Sequence, residues 1–158
     1  MKIDIPLLGS KPRSCGTCTK CCEGYLTGNI EGHPMSYGVP CHFLQQGVGC
    51  KRYETRPNNP CKTFTCGWLD DKKIPDFIKP EICGVIIVER VIHENTYSVF
   101  IQAPNQIEGE FLDWAKEYYK KNKKNYLYYD ANGKIHYAGS KEFLREIKGH
   151  ENQFKDKE

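Results

Sequence analysis

Long apolar runs are missing from this chain. No stretch approaches the roughly 18 continuous apolar residues of a membrane-spanning helix, so no membrane partner is expected. Residues 1–10 include Asp4 and Pro6, which interrupt the run of about 7–15 apolar residues that a secretory signal needs. The expected setting is therefore cytoplasmic, where thiols stay reduced. Core-forming residues are scarce: the hydrophobic fraction is 39%, with nine cysteines counted in it. A chain of 158 residues so composed commonly needs metal or covalent staples. A large charge excess is absent too, and a net charge of +3 does not by itself imply nucleic acid. No Ser/His/Asp order, phosphate loop or His-Glu-x-x-His motif occurs. No catalytic residue stands out, and a non-enzymatic role is expected.

What the chain has is cysteine, unevenly placed. Eight of the nine lie between Cys15 and Cys66, the ninth is Cys83, and none follows. An odd count in a reducing setting argues against a closed disulfide framework. Residues 9–66 are dense in Cys, Gly, Pro, Thr and Asn and show little helical or strand periodicity. Such a segment cannot offset its chain entropy by burial alone, and a metal cross-link would supply what is missing.

Beyond residue 80 the pattern changes. Stretches 85–92 (VIIVERVI) and 97–103 (YSVFIQA) are rich in β-branched residues and flank a polar turn, which predicts an antiparallel hairpin. Residues 107–122 place Ile107, Phe111, Trp114, Ala115 and Tyr118 at helical spacing. A second hairpin is expected from 126–130 and 134–138 around Asn132-Gly133, a strong turn signal. Ser140 is placed to cap a last helix carrying Phe143, Leu144 and Ile147 and ending at Gly149. The predicted fold is α+β. An irregular Cys-rich metal-binding module spans 10–80. Two antiparallel β-hairpins and two helices over 81–149 pack on it as one compact domain, the sheet covered on one face. The polar stretch 150–158 reads as a disordered tail.

The chemistry-bearing run is Cys15-x-x-Cys18-x-x-Cys21-Cys22, followed by Cys41, Cys50, Cys61 and Cys66. Two-residue spacing lets two sulfurs converge on one ion from a tight turn. Buried structural thiols, the bland alternative, suit one or two cysteines, with Cys83 the best candidate. They do not suit four within eight positions, because adjacent residues cannot all face one core. Eight thiolates match two tetrahedral zinc sites, or one 4Fe–4S cluster with four cysteines left for zinc or for none. His33 and His42 are weaker ligand candidates, since a loop histidine is usually just exposed. Arg56 either screens thiolate charge or, in the preferred reading, shapes a turn with Pro57 and pairs with a carboxylate.

This arrangement resembles the CxxCxxCC, or YkgJ-like, cysteine-cluster family. The elements that carry the resemblance are CGTCTKCC at 15–22, Cys41-His42-Phe43-Leu44, Cys50-x-x-Tyr53-x-x-Arg56-Pro57 and Cys61-x-x-Phe64-x-Cys66. They cover roughly residues 15–88. The spacer between Pro57 and Cys61 is three residues where the family pattern leads one to expect two. The resemblance implies chelation of zinc or iron, with no settled reaction. Together these readings make Cys15, Cys18, Cys21, Cys22, Cys41, Cys50, Cys61 and Cys66 the expected metal ligands, with zinc favoured over iron or an iron–sulfur cluster. The metal ion is the expected partner, with another protein as the target of a metal-handling role.

A nucleic-acid partner is the less favoured alternative. Lys116, Lys120, Lys123 and Lys124 recur at helical spacing, with Tyr119, Tyr126, Tyr128 and Tyr129 near them. A solvated helix face and half-buried sheet tyrosines explain the same pattern.

Overall fold

In a computed structural model the described residues are 12–155, with side chains described through residue 151. The cysteine-rich half holds two small antiparallel hairpins. β1 (Gly28–Ile30) pairs with β2 (His33–Met35), and β3 (Leu44–Gln45) with β4 (Gly49–Cys50). The first turns on Glu31 and Gly32, both at positive φ, the geometry that matches strand twist. Two one-turn helices follow, α1 (Gly67–Asp70) and α2 (Pro80–Cys83). α2 begins on a proline at its first position and stops at Gly84 in the left-handed region.

The second half forms one four-stranded sheet in the order β5 (Ile86–Ile92), β6 (Asn95–Ile101), β7 (Asn125–Tyr129), β8 (Ile135–Ala138). Both predicted hairpins are present and antiparallel. They join through a parallel β6–β7 pairing, which requires a crossover. α3 (Gly109–Lys121) lies in that connection. It covers one sheet face, where Phe111, Ala115 and Tyr119 meet Phe100, Tyr126 and Tyr128. The Phe100 and Tyr126 rings stack 5.0 Å apart, and Tyr119 meets Tyr126 edge-on at 5.2 Å. Ser98, buried on this face, accepts from Tyr119 (2.8 Å) and donates to Glu89 (2.6 Å), so its hydroxyl is satisfied.

Two expectations need correction. The sheet is covered on both faces: α4 (Lys141–Lys155) sets Phe143 and Ile147 against Leu127, Val99 and Tyr97 on the second face. Strands alternating apolar residues on both sides demand this. The last helix also runs past Gly149, and residues 150–155 are helical rather than a disordered tail. A glycine inside a helix costs only about 1 kcal/mol. Burial of Phe143 and Ile147 and the 2.5 Å hydrogen bond from Tyr137 to Glu151 outweigh that. Ser140 caps this helix as expected, its Oγ accepting from the Phe143 N–H at 3.2 Å.

Asp71, just past α1, ties the two halves together. Its Oδ2 accepts from Tyr118 (2.7 Å) and Lys124 (2.8 Å), and its Oδ1 from the Lys73 N–H (3.0 Å). Burial pushes the carboxyl pKa up, but these bonds outweigh it and bring it down from 3.8 to about 2. The depressed value means stability that is present above the unfolded pKa and lost as pH falls through the folded one. Asp71→Asn should therefore cost about 1 kcal/mol at neutral pH, after allowance for solvent screening. The gap to wild type should shrink as pH drops from 3.8 toward 2 in urea unfolding. A gap that persists at pH 2 would exclude the carboxylate as its source.

Candidate metal centre

The N-terminal run folds as two consecutive turns. The Cys18 N–H donates to the Cys15 carbonyl at 2.9 Å, with Gly16 at positive φ, as a two-residue thiol spacing requires. A 3₁₀ turn over Lys20–Glu23 follows, braced by Thr19 and Lys20 bonds to Glu23 at 2.6 and 2.9 Å. It ends on Gly24 in the left-handed region, where a Cβ would lie 2.4 Å from the Ser36 carbonyl oxygen. Glycine is required there.

The turn sends its neighbouring cysteines different ways. Cys21 packs against the large core that contains Cys66, Trp68 and the sheet face under α3. Cys22 packs in a small separate cluster built on Ile30, Met35 and Cys41, with Cys61 at its margin. The Cys22 carbonyl also accepts from the Cys41 N–H at 2.7 Å, fixing these two segments side by side.

The electrostatics follow a similar division, although Cys21 and Cys22, as chain neighbours, also act on each other and Cys15 acts on both. Burial pushes the Cys21 thiol well up, and Cys66, then Cys22, Cys15 and Cys18, raise it further. Cys22 is pushed up to about 12, by burial and then by Cys41, Cys50 and Cys61, with Cys15 behind them. Cys61 is raised by burial, then Cys41 and Cys50. Cys66 is raised by burial and, more weakly, by Cys15 and Cys18, while the Leu69 and Trp68 N–H groups oppose the shift. One set is thus Cys15, Cys18, Cys21 and Cys66. The other is Cys22, Cys41, Cys50 and Cys61.

No disulfide joins any of the nine cysteines. Closing either set around zinc would bring sulfurs to about 3.8 Å from one another, the separation set by a tetrahedron of Zn–S bonds near 2.3 Å. Among the described residues, the group whose ligand atoms already lie within 4.8 Å of one another is elsewhere: His93, Glu146 and His150. Among the described residues, no three of the cysteine sulfurs lie that close together, so either set would have to tighten to hold an ion.

The longer spacer before Cys61 is taken up locally. Residues Asn58–Lys62 form a wide turn with two bonds five residues apart, Lys62 N–H to Pro57 (3.3 Å) and Thr63 N–H to Asn58 (2.9 Å). A π-type turn accommodates one extra residue.

Positive groups surround the thiols. Burial and Cys18 raise the Cys15 thiol, and Arg56 and Lys79 pull it down. Arg56 also pulls on Cys61, so one guanidinium bears on both sets. Its expected carboxylate partner is replaced by Tyr53, whose carbonyl it bonds at 2.5 Å and whose ring it covers at 3.9 Å. Arg52 takes the carboxylate instead, pairing with Glu31. Sequence reasoning missed Arg13. Its guanidinium lies over the Trp68 ring at 4.5 Å and bonds the Trp68, Asp71 and Ile74 carbonyls at 2.5, 3.1 and 2.6 Å. It fastens the first cysteine turn to α1. The Trp68 Nε1–H, in the core of Cys66 and Cys21, is buried without an acceptor, leaving an unused donor there.

The remaining candidates fall outside the thiol sets. Cys83 is satisfied locally: its sulfur donates to Ile78 (3.3 Å) and accepts from the Val85 N–H (3.4 Å). His33 and His42 are exposed and stacked on each other at 3.8 Å. Lys116, Lys120 and Lys123 are exposed on or near α3, and Lys124 is held by Asp71. Tyr119, Tyr126 and Tyr128 are buried, so these rings offer no face to a nucleobase. No helix among the described residues is long and apolar enough to cross a membrane. No family model, curated protein or solved structure matches the chain, and its likeness to the cysteine-cluster family rests on the motifs alone.

Proposed function

We propose that this chain is a metal-binding protein that chelates two zinc ions through two four-thiolate sets. Cys15, Cys18, Cys21 and Cys66 would hold one ion, and Cys22, Cys41, Cys50 and Cys61 the other. The observation that carries the reading is the divergence of Cys21 and Cys22 into separate clusters, Cys21 with Cys66 and Cys22 with Cys41 and Cys61, while the charges of Cys15 and Cys18 bear on Cys21 and that of Cys50 on Cys22. The donor chemistry fits: four soft, mutually repelling thiols need a cation to hold them deprotonated, and zinc accepts four sulfurs in a tetrahedron. Zinc so ligated has no open position, and its contribution is cross-linking rather than catalysis.

The protein's own groups would do the rest. Arg56, Lys79 and the Trp68 and Leu69 N–H groups offset the negative charge of the thiolates. The reading includes membership of the CxxCxxCC family and a reducing, cytoplasmic setting in which nine free thiols persist.

Elemental analysis and a visible spectrum of protein purified without oxygen test it. Two zinc per chain and no colour are expected. Iron with acid-labile sulfide would instead give one set a 4Fe–4S cluster and an electron-transfer role. Metal well below one equivalent, in a chain that keeps its fold with chelator, would end the metal reading altogether.

A further inference from the structure

We propose that His93, Glu146 and His150 form a further metal site, for one divalent transition-metal ion bound by nitrogen and oxygen. His93 sits at the tip of the β5–β6 hairpin, at φ 51°. Glu146 and His150 are four residues apart on α4 and so share a face. The His93 Nδ1 lies 2.9 Å from Glu146 Oε2, and the two imidazole rings are 6.1 Å apart. One ligand atom from each of the three residues lies within 4.8 Å of the other two.

An ion pair between His93 and Glu146 accounts for one of these contacts. It is exposed, and exposed pairs contribute little, about 0–1 kcal/mol. His150 brings a second imidazole to the same point. Two imidazoles and a carboxylate are a recognised ligand set for zinc and for other divalent transition metals. Tetrahedral bonds of about 2.0–2.1 Å would bring the three atoms to about 3.3 Å from one another. Both supports are regular elements fixed by pairing or burial. The hairpin is held in register up to the Ile92–Asn95 pair, and α4 is anchored by the buried Phe143 and Ile147.

Such a site differs in kind from the thiolate sets. It has three protein ligands, and the fourth position is left to water or a ligand. It would also clamp the hairpin tip to the C-terminal half of α4, where Gly149 weakens the helix.

The test is a zinc titration of the purified protein with its native metal in place, followed by the ring-nitrogen NMR signals of all five histidines. The signals of His93 and His150 should move together and saturate at one added ion. Those of His33, His42 and His136 should stay. Glu146→Gln, a partly exposed change expected to leave the circular dichroism spectrum unaltered, should weaken binding at least tenfold. The proposal is overturned if His93 and His150 fail to respond or respond at different zinc concentrations. It is equally overturned if Glu146→Gln binds within twofold of wild type. Because imidazole nitrogens are the readout, the result stands apart from what the cysteines bind.

Discussion

Serine at Cys22 should cost the protein one of the two zinc ions proposed for it, and serine at Cys21 the other. The two residues are consecutive, so a site defined by proximity in sequence would respond alike to both changes. The 3₁₀ turn over Lys20–Glu23 makes them differ, because it delivers Cys21 to the core of Cys66 and Cys22 to the cluster of Cys41. The effect is large, since all-cysteine zinc sites supply apparent free energies of about 10–16 kcal/mol and a three-sulfur remnant keeps only part of that. Pairing gives a second reading of the same idea. Cys66→Ser should behave like Cys21→Ser, and Cys41→Ser like Cys22→Ser, while Cys83→Ser should retain both ions. Native mass spectrometry on each variant counts the ions directly. Variants that pair across the two sets, Cys66 with Cys22 for example, would overturn the assignment.

Gly67→Ala should destabilise the protein by about 1–3 kcal/mol, an unusually large effect for a single added methyl. α1 lies directly on β5, and a Cβ at Gly67 would sit 2.7 Å from Ile87 Cγ2 and 2.9 Å from Ile87 Cβ. Ile87 is buried and paired with Phe100 in the neighbouring strand, so it has nowhere to move. The displaced helix begins one residue after Cys66, so the loss should extend to one metal site only. Urea unfolding together with zinc retention measures both consequences. Combining the change with Ile87→Ala should recover part of the loss, because the second substitution opens the space the first one fills. A single variant within about 0.5 kcal/mol of wild type would mean that α1 does not approach the sheet so closely.

The elements that could be read in the sequence are those whose signal is local. The hairpin of 86–101, the Asn132-Gly133 turn, the α3 periodicity and the Ser140 cap each depend on a few neighbouring residues. The parallel β6–β7 contact depends instead on where a crossover returns, and nothing local records that. Gly149 reads as a stop signal, yet the helix passes through it because Phe143 and Ile147 are fixed by tertiary packing. That error also hid Glu146 and His150, whose four-residue spacing carries meaning only on a continuous helix. At the cysteines the ligand types were legible and their partition was not. The 3₁₀ turn that sends Cys21 and Cys22 apart ends on Gly24, which packs closely on Ser36, and no cysteine spacing records that. For Tyr126 and Tyr128 the sequence favours sheet residues over stacking platforms, and both are buried in the sheet.

The two cysteine clusters rest on unequal foundations. The one with Cys21 and Cys66 is continuous with the core of the four-stranded sheet, whereas the one around Ile30, Met35 and Cys41 includes no residue of that sheet. Under the two-zinc reading, loss of metal would therefore not melt the molecule evenly. The β1–β4 lobe would open first and become the preferred point of attack for proteases, while the sheet with α3 and α4 stayed closed.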